Sequence, residues 1–185
     1  MPTITEKGIR LDFPAGWAVV KYDDTDFYRQ RIAGRMQQVR GVDVVAYRPV
    51  AAGQLLLIEI KDYRISALTA EQRVSELRQT VLQKSLNTLS GLYTAQRVAN
   101  EELRTVAAGI QQPGLYIEVV LFLERPPLPA APVTTAEKFR RQNPQSAVEN
   151  LELKLTSALA ALGLAFKLRS STTMRATDFW TARAA

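Results

Sequence analysis

A chain of 185 residues with 46% hydrophobic content is long enough for one domain with a sizeable core. It has no cysteine and no histidine, which excludes disulfides, thiolate or imidazole metal ligation, a cysteine nucleophile and any histidine base. The net charge of +6 is either an ordinary basic surface or an attraction for a polyanion, nucleic acid being the commonest.

Residues 1–7 lack the apolar stretch of a signal peptide. No apolar run approaches the roughly 20 residues of a membrane span. Both features predict a cytoplasmic protein with no membrane partner. Residues 8–13 and 17–22 read as two short strands, with Phe13-Pro14-Ala15-Gly16 as the turn between them. Asp23-Asp24-Thr25-Asp26 is a turn or helix cap, and 26–38 reads as a short helix with poor apolar spacing. Residues 42–48 form a strand, 49–53 break it, and 54–64 form the next.

Thr69-Ala70-Glu71-Gln72 matches a capping box. It opens a long helix to about Val98, on which Val74, Leu77, Val81, Leu82, Leu86, Leu89 and Tyr93 recur at helical spacing. Helical character continues through 100–108. A strong strand follows at 115–124, then a proline-rich loop at 126–133. Ser146-Ala147-Val148-Glu149 is a second capping box, starting a helix that Gly163 stops. Residues 164–169 read as a strand. The tail, 170–185, is polar except for Phe179 and Trp180 and reads as a flexible arm. The order predicts an α/β domain, near the α+β boundary, over residues 1–169: a mixed sheet flanked by helices.

Within the strand 54–64, alternation puts Leu55, Leu57, Glu59, Lys61 and Tyr63 on one face. A five-residue loop at 49–53 pairs Arg48 with Gln54, and counting back pairs Asp43 with Glu59. Residues directly opposite have Cβ atoms about 4.5–5.5 Å apart. Two carboxylates that close repel unless a proton or a cation lies between them. With no histidine or thiolate present, an oxygen-bound Mg²⁺ or Mn²⁺ suits the pair. Lys61 shares the face and can reach a water or a phosphate. A one-residue slip in register would send Asp43 to the other face.

Gly41-Val42-Asp43 on one strand and Glu59-Ile60-Lys61 on the next, followed by a long helix and a further strand, resemble the PD-(D/E)XK nuclease superfamily. The resemblance covers about residues 20–125. It implies a restriction-endonuclease-like core, Asp43 and Glu59 as ligands of Mg²⁺ or Mn²⁺, and Lys61 as the catalytic lysine. The implied activity is phosphodiester hydrolysis in DNA or, second, RNA. The alternatives are a nuclease-like domain without catalysis that binds nucleic acid or another protein, and an unrelated α/β protein in which Glu59 and Lys61 are an ordinary ion pair. Dimerisation is common among DNA-cutting enzymes of this kind, so a homodimer or a larger complex is open. Val42 replaces the motif's proline. The extra acid often present on an earlier helix has Asp23, Asp24 and Asp26 as candidates. The helix lacks Gln-x-x-x-Tyr but carries Gln72, Glu76, Gln79 and Gln83 along one side, and Gln79 or Gln83 would contact nucleic acid. Arg29, Arg31, Arg140 and Arg141 are candidate phosphate holders or plain surface residues. Trp17, Tyr22, Phe27 and Tyr28 are expected in the core. Glu118, in an apolar strand, has no assigned role.

Overall fold

The computed structural model describes residues 1–50, 53–64, 70–125 and 135–185. The chain begins with a hairpin that the sequence pattern did not suggest, β1 (Thr3–Glu6) and β2 (Ile9–Asp12). Its turn residues, Lys7 and Gly8, both have positive φ, 49° and 72°, as a two-residue hairpin turn of this hand requires. Five later strands make a mixed sheet in the order β3-β4-β5-β6-β7: β3 (Ala18–Lys21), β4 (Val44–Arg48), β5 (Gln54–Asp62), β6 (Tyr116–Glu124) and β7 (Ala165–Arg169). The first two pairings are antiparallel and the last two parallel. Each parallel step is spanned by a long helix, α1 (Ala70–Arg97) or α3 (Thr135–Ala160), the crossover that parallel strands need. A short α2 (Arg104–Ala108) follows α1.

Both faces of the large sheet are covered, which is why β5 and β6 are apolar along most of their length. Leu55, Leu57, Val119, Leu121 and Leu123 pack under the helices. Leu56, Ile58, Ile60, Val120 and Phe122 pack with Ile9, Leu11, Phe13, Trp17 and Trp180 on the other side. The helix face at the core is Leu77, Val81, Leu92 and Ala95, with the small polar Ser85 and Thr88 buried among them.

Several expectations need correction. The segments around 8–13 and 17–22 are strands, but β2 and β3 belong to different sheets, so 13–16 is a crossing between layers and not a hairpin turn. The segment 27–33 is a π-helix. Its wider turn buries Phe27, Tyr28 and Ile32, at i, i+1 and i+5, and this explains the poor 3.6-residue spacing. Leu86 and Tyr93, assigned to the apolar stripe, are 44% and 50% exposed. Ser146 does not cap a helix. α3 begins at Thr135 and runs through Pro144, whose missing N–H leaves one carbonyl of the preceding turn without its helical donor.

The tail is not a free arm. β8 (Thr181–Ala184) pairs with β2, completing an antiparallel sheet β1-β2-β8. Trp180 is buried, stacked on Phe13 at 5.9 Å and tilted against Phe122 at 6.2 Å. One buried aromatic outweighs the polarity of the residues around it. The capping box at Thr69, the loop at 126–133 and the side chains of Gln72, Val74, Arg140 and Arg141 lie outside the described residues. Among the described residues, no helix is long and apolar enough to cross a membrane.

Candidate active site

The hairpin β4–β5 has the register counted from the sequence: Arg48 opposes Gln54 and Val44 opposes Ile58. The next step back brings Asp43 opposite Glu59. Three contacts fix the approach to β4. The Tyr28 hydroxyl accepts the Gly41 N–H at 3.0 Å, the Thr88 hydroxyl accepts the Val42 N–H at 3.0 Å, and the Tyr22 N–H donates to the Asp43 carbonyl at 2.9 Å. Gly41 is required there, because a Cβ would lie 2.6 Å from the Tyr22 ring. Asp43 Oδ2 accepts the Ile60 N–H at 2.6 Å, locking the carboxylate against β5.

Asp43 and Glu59 are 1% and 0% exposed. Charges so buried need partners, and three lysines supply them. Lys61 lies 2.8 Å from Glu59 Oε1. Lys84, on α1, donates to both Glu59 oxygens at 2.9 and 2.8 Å and lies 3.7 Å from Asp43 Oδ1. Lys7, from the β1–β2 turn, donates to Asp43 Oδ1 at 2.8 Å and to the Ile60 carbonyl at 3.2 Å. Burial disfavours the Lys7 ammonium, but the hydrogen bond to Asp43 and the charges of Asp43, Glu59 and Glu6 outweigh it and hold its pKa above the ordinary lysine value. Three ammonium groups thus contact two carboxylates, an excess of positive charge among the groups in direct contact.

Of the expected residues, Asp43, Glu59 and Lys61 come together. Lys7 and Lys84 were missed. Of the three early aspartates, Asp23 lies nearest in electrostatic terms: its carboxyl is pushed up to about 6, first by burial and then by the charges of Asp43 and Glu6. Asp24 pairs with Lys21 and Arg29, and Asp26 is exposed beside a different cleft. Gln79 and Gln83 are both exposed on α1. Gln83, with Gln38, Arg40, Thr80 and Lys84, lines a cleft of about 180 Å³ beside the acids. Glu118 is on the opposite face of the sheet, bound by Lys167 at 2.9 Å and by the Tyr116 hydroxyl at 3.1 Å.

The Lys7 ammonium tests whether a hard cation suits these residues. It is itself a cation gripped by two oxygens, Asp43 Oδ1 and the Ile60 carbonyl, with the Glu59 charge close enough to act on it. Its side chain is 38% exposed, so it can swing away. Among the described residues no three metal-binding side chains converge. The chain therefore offers two carboxylates and a carbonyl. Mg²⁺ is commonly held by one or two carboxylates with water and substrate phosphate completing the shell. The donors fit such an ion on the condition that Lys7 leaves Asp43 and Lys61 leaves Glu59.

No family model matches the chain, and no solved structure matches it significantly. Among curated proteins it is similar to a cysteine–tRNA ligase from Neisseria meningitidis serogroup A, at 29% identity over 153 residues. The match covers 68% of this chain and 22% of the ligase, so the chain spans about a fifth of that protein's length.

Proposed function

We propose that this protein hydrolyses phosphodiester bonds in nucleic acid, DNA in the first place, with Mg²⁺ or Mn²⁺ held by Asp43 and Glu59. The observation that carries this reading is the convergence of two buried carboxylates from adjacent strands around a lysine ammonium, Lys84, with Lys7 and Lys61 on their outer sides. The order hairpin, α1, parallel strand supports a restriction-endonuclease-like core, as the resemblance to the PD-(D/E)XK superfamily implies. When bound, the ion would polarise the phosphate and acidify water. Lys61, with a side chain 23% exposed, releases Glu59 and orients the attacking water. Lys84 stays on Glu59 and keeps that carboxylate neutralised. The water oxygen bonds to phosphorus as its proton passes to solvent, the bond to the sugar oxygen breaks, and the leaving alkoxide takes a proton back from solvent, so the exchange balances.

The test is cleavage of single-stranded and duplex DNA, and of RNA, with and without Mg²⁺ or Mn²⁺. Cleavage that needs the metal and falls by at least about 10²-fold in Asp43→Asn and Lys61→Met is expected. Absence of metal-dependent cleavage of every substrate refutes it. The excess of positive charge among the groups in contact favours a second reading, a nuclease-like domain that binds nucleic acid without cutting it. Salt-sensitive binding with no cleavage would mark that case.

A further inference from the structure

We propose that the cleft lined by Gln38, Arg40, Thr80, Gln83 and Lys84 is a binding subsite for a backbone phosphate of nucleic acid, next to the carboxylate pair. Only the identity of the ligand rests on the function proposed above; the preference for an anion stands on the cleft itself.

All five lining side chains carry hydrogen-bond donors, two are cationic, and none is a carboxylate. Two other clefts differ, since both include carboxylates: Asp26, Glu101 and Glu102 in one, Glu149 and Glu152 in the other. Among the described residues, the Arg40 guanidinium forms no ion pair. Its charge therefore remains available to an incoming anion.

One of the two cations is held in place, and the backbone of the other is anchored. Glu59 holds the Lys84 ammonium through both oxygens, and Lys84 also lines the cleft. The Arg40 backbone is tied to α1, because its carbonyl accepts the Asn87 side-chain N–H at 3.2 Å. At the lip, Gln38 sits at φ 67°, a left-handed conformation uncommon for a residue other than glycine. Clustered donors of this kind recognise phosphate oxygens. A volume of about 180 Å³ admits a phosphate group.

The test uses the full-length protein in EDTA, where metal-dependent cutting is absent. Binding of labelled single-stranded DNA and RNA of the same sequence is measured against salt for wild type, Arg40→Met and Arg97→Met. Arg97 lies thirteen residues beyond Lys84 on the same helix, about 20 Å away, and its loss changes net charge equally. Arg40→Met should weaken binding about three- to tenfold on both probes and lower the salt slope by about one, with Arg97→Met near wild type. Equal effects of the two substitutions, loss on only one probe, or no binding by wild type would each overturn the proposal. Because cleavage plays no part in the readout, an inactive enzyme and a missing subsite give different results.

Discussion

Lys84 is the residue on which the buried pair depends, and Lys84→Met isolates its charge while retaining most of its packed stem. Removing one partner of a buried ion pair costs about 3–5 kcal/mol. Here Lys61 still faces Glu59 at 2.8 Å, so part of that cost is spared and about 2–3 kcal/mol is expected. For a chain of this size that is a fall in Tm of about 4–12 °C, read by circular dichroism alongside urea melts. Glu59→Gln should also destabilise, and the double variant should lose less than the sum of the singles, since the two groups touch. If the site accepts a divalent ion, a fixed Mg²⁺ concentration of about a hundred times the wild-type Kd contributes about 2.7 kcal/mol of stability to wild type, and the gain at that same concentration should be larger in Lys84→Met, whose carboxylates bind the ion more tightly. A loss under about 0.5 kcal/mol, or strict additivity with Glu59→Gln, would show that Lys84 does not neutralise the buried carboxylate.

Three further outcomes follow from the same geometry. Lys7→Met should tighten Mn²⁺ binding, measured calorimetrically, because the competing ammonium is gone; unchanged or weaker binding removes Lys7 from the cation position. Asp23, raised to about 6 by burial, Asp43 and Glu6, binds its proton in the folded state between about pH 4 and 6 where the unfolded chain does not. Its contribution to stability therefore falls as pH rises through that window, and urea midpoints of Asp23→Asn should drop less than those of wild type between those pH values. Tyr22→Phe should raise stability by about 1 kcal/mol, because the Tyr22 hydroxyl is buried with no hydrogen-bond partner among the described residues; a lower urea midpoint would reveal an unseen partner.

The site residues legible in the sequence were those linked by local geometry. A five-residue loop sets the hairpin register, and register with period-two alternation sets which side chains meet. Lys7 and Lys84 come from segments 36 and 25 residues away from their carboxylates, and no short-range rule connects them. A signal for Lys84 was nonetheless present. It follows Val81 and precedes Ser85, Thr88 and Leu92 on the stripe that the fold buries. Leu86 and Tyr93 drew the expected stripe toward the adjacent side of the helix, where a lysine at 84 looks solvated. The tail misled because composition averages over residues, whereas one indole on an aromatic cluster decides whether a segment docks. The π-helix escaped because its period matches neither template.

The small sheet joins the two ends of the described chain. Ile9 is registered with Ala184, 175 positions apart, and the Ala185 N–H donates to the Gly8 carbonyl at 2.9 Å. Closing so long a loop carries a large entropic cost, and releasing it leaves the ladder of the five-stranded sheet untouched. The turn that bears Lys7 thus has a double mounting: Ile9 and Leu11 root it in the core of the large sheet, and the last residues of the chain clasp its other side, so the electrostatic plug over Asp43 is braced by a contact between the two most distant parts of the described sequence.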